Sequence, residues 1–330
     1  MRPMEVVLNP MQRVLHVRPG VNLLETLREH RVPMSYSCQS GRCGTCRCKV
    51  IEGEVLDGGH EVRRPLDESP YVLACQTFLT EPCTIEIPEP DEIVVHPARI
   101  VKATVAGVED LTHDVKRLRL KTAKPLEYSP GQYAHLQFSP AQIRPYSMAG
   151  LGENNELEFH VRMVPDGRVT GYIADTLKVG DAVRVGGPLG TAYLRRKHEG
   201  PMLCVAGGTG LAPILAIVRG AVAAGMPNAI HLYFGVRSVR DVYGVDSLQQ
   251  LQREHPNLHL NVVVASGADA RKQRAGLVTD AIEADLKDLT NWRAYLCGSP
   301  PMVEAATLLT KRLGLLPVRI HADAFYSQGT

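Results

Sequence analysis

The chain has 330 residues, 44% hydrophobic and 22% charged, with a formal net charge of +2. At about 100–200 residues per domain this predicts two or three domains, and so much apolar material excludes a largely disordered chain. The balanced charge gives no basic surface for nucleic acid. No run approaches the roughly 18 uninterrupted apolar residues of a membrane span; the nearest, Leu203 to Met226, is broken by Gly207, Gly208, Gly210, Pro213 and Arg219. Arg2 is followed by no apolar signal core or small-residue cleavage site, so a cytoplasmic location is expected.

Three segments follow one another. In the first, Val6 to Leu8 and Arg13 to Val17 read as strands, and Asn22 with Glu25 three residues on reads as an N-cap and capping box for a short helix carrying Leu23, Leu24 and Leu27. A Cys-rich loop runs from Ser37 to Cys48, with strands expected at Lys49 to Glu52 and Thr84 to Ile87. Pro88, Pro90 and Pro97 mark a linker. The second segment is strand-rich. Strands are expected at Val101 to Val108, Val115 to Lys121, Gln132 to Phe138 and Ala182 to Val185, and Glu156 to Met163 alternates polar and apolar without a break. Turns at Pro130-Gly131 and Pro165-Asp166-Gly167 then suggest a small antiparallel barrel. In the third segment, strands at Met202 to Ala206, Ile230 to Phe234, Asn261 to Ala265 and Ala294 to Cys297 alternate with helical patterns at Ala212 to Ala224, Thr279 to Leu286 and Met302 to Leu313. That alternation predicts a parallel α/β sheet. The boundaries read as 1–90, a linker 91–97, 98–196 and 197–330.

Six of the eight Cys lie between Cys38 and Cys83. In a reducing compartment such clustering points to a metal centre rather than disulfides. Cys38-x4-Cys43-x2-Cys46, then Cys75, has the spacing of plant-type 2Fe-2S clusters. Four thiolates serve two irons, and Gly41 and Gly44 allow the loop to bend around them and bring N–H groups near the sulfurs. Structural zinc is the competing reading, but zinc ribbons use two CxxC pairs and only Cys43/Cys46 forms one. Cys48, two residues past Cys46, is a competing ligand by position, though strand alternation points it elsewhere; Cys83 and Cys204 read as small packed side chains.

Two further constellations follow. Arg144-Pro145-Tyr146-Ser147, at a predicted strand start, offers a cation for a phosphate, an aromatic face and a hydroxyl, which suits a flavin. Gly167-Arg168-Val169-Thr170 precedes a helical stretch from Gly171 to Lys178, as a phosphate site, as simple N-capping by Thr170, or as both at once. Gly207-Gly208-Thr209-Gly210-Leu211-Ala212-Pro213 lies between a buried strand and a helix, where glycine allows a pyrophosphate to approach the backbone. No acid ends the next strand; Arg237 stands there with Asp241 nearby. Cys297-Gly298-Ser299-Pro300 closes a later strand at the edge where such sheets bind ligands.

These motifs occur in one order, and with them the whole chain resembles the ferredoxin–NAD(P) reductase family carrying an N-terminal plant-type ferredoxin domain. More narrowly it is similar to the reductase components of naphthalene dioxygenase-type aromatic-ring oxygenases. Ser35 to Cys38, Pro145 to Gly150, Gly187 to Tyr193 and Ala322 to Phe325 look like that branch. The resemblance implies a multidomain α+β and α/β chain: a β-grasp ferredoxin domain, an antiparallel β-barrel FAD domain and a parallel α/β NAD(P) domain. It implies a 2Fe-2S cluster on Cys38, Cys43, Cys46 and Cys75. FAD would lie on Arg144, Tyr146, Ser147, His160, Val161, Arg162, Gly167, Val169 and Thr170, with Phe325 or Tyr326 over its far face. NADH or NADPH would lie on Gly208, Thr209, Gly210, Arg237, Cys297 and Gly298, and Ser147 and Cys297 would stand at the reacting atoms.

The resemblance also implies a function. Nicotinamide gives two electrons as a hydride and a 2Fe-2S cluster accepts one at a time, so a flavin must stand between them. The expected acceptor is a Rieske-type ferredoxin serving an oxygenase for naphthalene, salicylate or a related aromatic. Direct donation to an oxygenase, a deoxysugar dehydratase as acceptor, and a redox sensor without turnover are the alternatives. Both nicotinamide cofactors are expected to serve, NADH preferred, and the chain is expected to be a monomer.

Overall fold

The computed structural model describes residues 3–32, 34, 36, 46–58, 60–64, 71–87, 96 and 98–326. The chain forms two compact units, Met1–Ala98 with Leu189–Thr191, and Arg99–Pro188 with Ala192–Thr330.

The first unit holds β1 (Met4–Asn9), β2 (Arg13–Val17), β3 (Val21–Asn22), α1 (Leu23–Glu29), β4 (Arg47–Asp57), β5 (His60–Arg64), β6 (Tyr71–Leu73), β7 (Thr77–Leu79) and β8 (Cys83–Glu86). The sheet order is β2-β1-β8-β4-β7-β3, with β5 and β6 also pairing with β4. β1 and β8 run parallel; β1 and β2 form an antiparallel hairpin. Alternation turns Met4, Val6 and Leu8 inward, where Leu23, Leu24 and Leu27 of α1 join the same core. Asn22 caps α1, its Oδ1 accepting from the Glu25 N–H at 3.2 Å. β5, β6 and β7 were not expected from the sequence; they are short and paired to the long β4.

Among the described residues, the second unit contains two six-stranded sheets. The first is built from β9 (Arg99–Asp110), β10 (Val115–Thr122), β11 (Tyr133–Ser139), β12 (Gln142–Ser147), β13 (Glu156–Arg162) and β14 (Ala182–Leu189), with α2 (Arg168–Asp175) between β13 and β14. The order β12-β11-β14-β9-β10-β13 curls until its ends meet: Met148 bridges Phe159, and the Ala149 N–H donates to the Glu158 carbonyl at 2.8 Å. Leu118, Leu120, Leu136, Phe159 and Val185 fill the interior. The expected alternation along β13 breaks at His160, which is buried although its side chain is polar. Arg144 lies inside β12 rather than at a strand start, because pairing to β11 begins at Gln142.

The second sheet is built from β15 (Met202–Gly207), α3 (Leu211–Ala223), β16 (Ile230–Ser238), α4 (Val245–Glu254), β17 (Leu258–Ser266), β18 (Arg274–Ala275), α5 (Val278–Asp285), β19 (Arg293–Gly298), α6 (Pro300–Arg312) and β20 (Ile320–Ala324). Its order is β18-β17-β16-β15-β19-β20, every pair parallel. One face packs Ile214, Val218 and Leu248 from α3 and α4; the other packs Ile282, Val303 and Leu309 from α5 and α6. The chain starts in the middle at β15, builds outward through β18, then returns to β19. That reversal leaves a crevice at the carboxyl ends of β15 and β19, the place where open α/β sheets take ligands. Among the described residues, no helix is long and apolar enough to cross a membrane.

Candidate cofactor sites

A cleft of about 380 Å³ opens at that crevice. Gly207, Gly208 and Thr209 form its floor, Arg237 and Asp241 one end, and Ser299, Met302 and Phe325 the other. The Gly-rich segment is a tight 3-10 turn, Gly208–Gly210, feeding straight into α3. Its glycines answer to two demands. Gly208 has φ +55, the left-handed region open to glycine. Gly210 has ordinary helical torsions, but a Cβ on it would stand 2.0 Å from the Cys297 carbonyl oxygen. Gly210 therefore lets the turn close on the end of β19, while Gly208 leaves backbone open toward the cleft. Gly298 answers in kind, its Cβ position 3.0 Å from Gly207 Cα.

An acid does reach this cleft. β16 runs on to Ser238, and Asp241, three residues later, lines the cleft with Arg237. Asp241 Oδ2 accepts from the Ser238 N–H and hydroxyl, each at 2.9 Å. The expectation of no acid at the strand end holds for the strand itself, but a capped turn brings one back.

Ser147 and Cys297, far apart in sequence, both neighbour Asp323. The Ser147 hydroxyl donates to Asp323 Oδ2 at 3.1 Å, and Asp323 pairs with Cys297 in the β19–β20 register. Burial lifts the Asp323 carboxyl to about 6, with the Ser147 hydrogen bond pulling the other way. Burial and the Asp323 carboxylate push the Cys297 thiol well above its ordinary range, so it is a neutral, packed sulfur. No motif pointed to Asp323; it lay within Ala322 to Phe325, noted only as a likeness. Phe325 lines the cleft and its N–H donates to the Gly298 carbonyl at 2.8 Å, whereas Tyr326 is 76% exposed.

β13 carries three of the expected flavin residues, and they face different ways. Val161 is inside the barrel. His160 is held on both ring nitrogens, 3.1 Å from the Tyr243 hydroxyl and 3.1 Å from Glu158 Oε1. Burial pushes Glu158 up, but the hydrogen bond from His160, together with the Arg219 and Arg117 guanidiniums, holds the carboxyl below its usual range. Arg162 lines the cleft of the neighbouring sheet, next to the Gly-rich turn. Asp114 Oδ2 accepts from its Nε at 2.9 Å and from its Nη2 at 2.8 Å. Glu158, Tyr243 and Asp114 were not singled out from sequence, since each is an ordinary surface residue type until the strands bring it inward.

Arg144 and Tyr146 are half-buried on β12, and burial lifts the Tyr146 hydroxyl to about 12. α2 starts at Arg168 with Gly167 as N-cap, and no side chain caps its first-turn amides. Thr170 is not the cap. It is the third residue of the helix, and its hydroxyl turns back to the Val164 and Gly167 carbonyls, each at 3.2 Å. A Cβ on Gly167 would stand 2.2 Å from that hydroxyl oxygen, so this tight turn needs glycine. An uncapped N-terminus suits a phosphate, which the free N–H groups and the helix dipole both favour. Val169 is buried in the barrel core.

In the first unit, Cys38 and Cys43 lie outside the described residues. Cys46 and Cys75 come together because β4 pairs with β6: Arg47 faces Leu73, and the Ala74 N–H donates to the Cys46 carbonyl at 2.8 Å. Donors point at both sulfurs, the Cys75 N–H at Cys46 Sγ (3.4 Å) and Gln76 Nε2 at Cys75 Sγ (3.8 Å). Two thiols with N–H groups aimed at them fit a thiolate-ligated cluster, whose negative charge such donors stabilise. Asn22, read from sequence only as a helix cap, also donates from Nδ2 to the Cys75 carbonyl at 3.1 Å. Cys48 and Cys83 are in this unit's core and Cys204 is in the second unit's; burial lifts Cys83 and Cys204 to about 12.

Three family models match successive parts of the chain: the 2Fe-2S iron-sulfur cluster binding domain over residues 6–80, the oxidoreductase FAD-binding domain over 102–193 and the oxidoreductase NAD-binding domain over 204–307. Over 327 residues, 99% of this chain and 100% of the relative, it is 60% identical to a protein of a Ralstonia species described as the ferredoxin–NAD(P)(+) reductase component of naphthalene 1,2-dioxygenase/salicylate 5-hydroxylase systems. It is 58% identical, with the same coverage, to the corresponding component of the naphthalene 1,2-dioxygenase system of Pseudomonas putida. Among solved structures it is similar to a cytochrome P450 reductase of Amycolatopsis, 36% identical with TM-score 0.72 over 98% of both chains. The ferredoxin reductase of carbazole 1,9a-dioxygenase is 26% identical, with TM-score 0.67 over 98% of both chains.

Proposed function

Because the chain belongs to the family of iron-sulfur flavoprotein reductases that serve aromatic-ring dioxygenase systems, we propose that it is a ferredoxin–NAD(P)+ reductase of such a system. It draws electrons from NAD(P)H and delivers them to a ferredoxin, Rieske-type by family likeness, and through that to a terminal aromatic-ring hydroxylating oxygenase. The chain has the 2Fe-2S, FAD and NAD domains this requires. When bound, the nicotinamide supplies a hydride, the flavin converts it to single electrons and the cluster carries those one at a time.

The protein's own groups bind, orient and exclude water. Gly208, Thr209 and Gly210 would hold the dinucleotide, with Arg237 toward its adenosine end and Gly298 at the far strand. Cys297, uncharged and buried, would give the nicotinamide a polarizable apolar surface. Ser147 would present its hydroxyl to the flavin ring beside Tyr146, with Arg144 and the N-terminus of α2 for the phosphates. Phe325 would cover the exposed side of the reacting pair. Cys46 and Cys75 would hold iron together with Cys38 and Cys43. The observation that carries this reading is the convergence of Ser147 and Cys297 on Asp323 near the carboxyl ends of β19 and β20. It gives one place where a barrel-bound ring and a sheet-bound nucleotide would meet. We place the functional segments at 1–90, 98–196 and 197–330, joined at 91–97, in a cytoplasmic monomer.

The test is a purified protein with iron, sulfide and flavin quantified, mixed with NADH without oxygen. Bleaching of both flavin and cluster absorbance, followed by turnover of cytochrome c and of a dioxygenase ferredoxin, is expected. NADH reduction without turnover of any acceptor leaves the sensor reading instead. Turnover with a dehydratase but with no dioxygenase ferredoxin moves the partner to that class. Steady-state kinetics with both nucleotides should show both used, NADH with the higher kcat/KM.

A further inference from the structure

The turn between β9 and β10 is more rigid than a surface turn needs to be. Its Thr112 hydroxyl accepts from the Asp114 N–H at 3.2 Å and the Val115 N–H at 3.0 Å, and donates to Asp114 Oδ1 at 3.0 Å. The Asp114 carbonyl accepts from the Met163 N–H at 2.7 Å, locking the turn to the end of β13. Asp114 thus has a fixed backbone and a fixed carboxylate. Partial burial pushes that carboxyl up, but the Thr112 hydrogen bond and the Arg162 charge outweigh it and keep it ionised.

What this carboxylate grips is the Nε–Nη2 edge of Arg162. A guanidinium is planar, so fixing one edge fixes the other. The opposite edge faces the Gly-rich turn: a Cβ on Gly208 would stand 3.7 Å from Arg162 Nη1. The other Asp114 oxygen faces His113 of the same turn, which in turn reaches the second sheet. His113 Nε2 lies 3.7 Å from Asp114 Oδ1 and 3.7 Å from Asp241 Oδ1, and Asp241 is itself held by Ser238. The series Arg162, Asp114, His113, Asp241 therefore spans from barrel to nucleotide sheet, and its two ends, Arg162 and Asp241, line the cleft.

We propose that Asp114 is a positioning residue for the nicotinamide dinucleotide, aiming the Nη1 edge of Arg162 at its pyrophosphate. This rests on the reading of the cleft as the NAD(P)H site. An unheld arginine loses rotamer freedom when a ligand fixes it, and that loss weakens binding. Asp114 makes the loss part of folding. The carboxylate has a second effect of opposite sign, because its charge repels a bound phosphate. An ion pair that only neutralised Arg162 would leave Asp114→Asn binding nucleotide more tightly; a positioning pair leaves it binding more weakly. The sign decides between them.

The experiment is calorimetric titration of the flavin- and cluster-loaded protein with ADP-ribose, which carries the pyrophosphate but no nicotinamide, beside NADH–ferricyanide kinetics. Wild type should bind ADP-ribose; failure to bind at millimolar concentration overturns the cleft reading itself. In Asp114→Asn the Kd for ADP-ribose and the KM for NADH should both rise about tenfold, with kcat within about twofold. Asp114→Glu should recover part of the loss, and Asp114→Asn with Arg162→Gln should be no weaker than Arg162→Gln alone. Unchanged or tighter binding by Asp114→Asn overturns the proposal, as does a double variant weaker than Arg162→Gln. If Asp114→Asn does not fold, Arg162→Gln and Arg162→Lys decide. Weakened binding in both supports an aimed, two-edged guanidinium, and wild-type affinity in either overturns it.

Discussion

Gly210→Ala should damage both stability and turnover, and the reason is steric rather than conformational. Gly210 has φ −58 and ψ −13, torsions that alanine adopts freely. The added Cβ, however, would lie 2.0 Å from the Cys297 carbonyl oxygen, 2.5 Å from its carbon and 2.9 Å from the Gly298 nitrogen. All three are backbone atoms of a central strand, so no side chain can rotate away, and either α3 or the end of β19 must retreat by more than an ångström. Overpacking a core typically costs about 1–3 kcal/mol, and a clash against paired backbone belongs at the top of that range. For a cooperative unit of this size, about 3 kcal/mol corresponds to a loss of roughly 6–12 °C in Tm. The same retreat shifts Cys297 and Gly298 and with them the cleft-lining Ser299 that follows, and a misplacement of about 1 Å at a reacting site can cost on the order of 100-fold in rate. Differential scanning calorimetry and NADH–ferricyanide kcat/KM read the two effects. A variant with wild-type Tm but a raised KM would refute this account, because it would mean that the glycine serves only the approach of the ligand.

Asp323→Asn removes a buried carboxyl that titrates near 6 in the folded chain, against an ordinary value of 3.8. Ionisation there opposes folding: the penalty is absent well below pH 3.8, grows as pH rises and is complete above about pH 6. The variant should therefore be more stable than wild type by about 3 kcal/mol at pH 7.5 and by about half as much at pH 5; an equal gain at both pH values would sink the assignment. Cys75→Ser should abolish cluster-bound iron and sulfide and stop ferredoxin reduction, while NADH–ferricyanide turnover through the flavin stays within about twofold of wild type. Equal iron content in the variant would refute the role. Arg237→Ala should raise KM for NADPH about tenfold and KM for NADH much less, since an exposed arginine at the adenosine end would meet a 2′-phosphate that only NADPH carries; equal effects would assign Arg237 to the part common to both nucleotides.

Legibility in the sequence followed the range of the interaction concerned. α1 was readable because its cap, Asn22 with Glu25, is local, and the Asn22 Oδ1 to Glu25 N–H bond is made as expected. The β15–turn–α3 unit was readable because strand, glycines and helix are contiguous. β5, β6 and β7 were not, because they exist by pairing to β4. The strand that carries Asp323 was missed as well: β20 is held by register with β19. Thr170 looked like a helix cap from its place after a glycine, yet the chain enters α2 three residues earlier, so its hydroxyl faces backward.

Composition, periodicity and motif order were enough to read the domain classes, the cysteine ligand spacing, and the glycine turn with its neighbouring strand and helix, since each is written in residues close together along the chain. Tertiary folding alone decided that Ser147 and Cys297 share Asp323, that His160 lies between Tyr243 and Glu158, and that Arg162 belongs to the nucleotide cleft under the grip of Asp114. The Ser147–Asp323, His160–Tyr243 and Arg162–Asp114 encounters join residues 48 to 176 positions apart. A carboxylate or an imidazole has no preferred partner until strand register and barrel closure bring one within hydrogen-bonding distance.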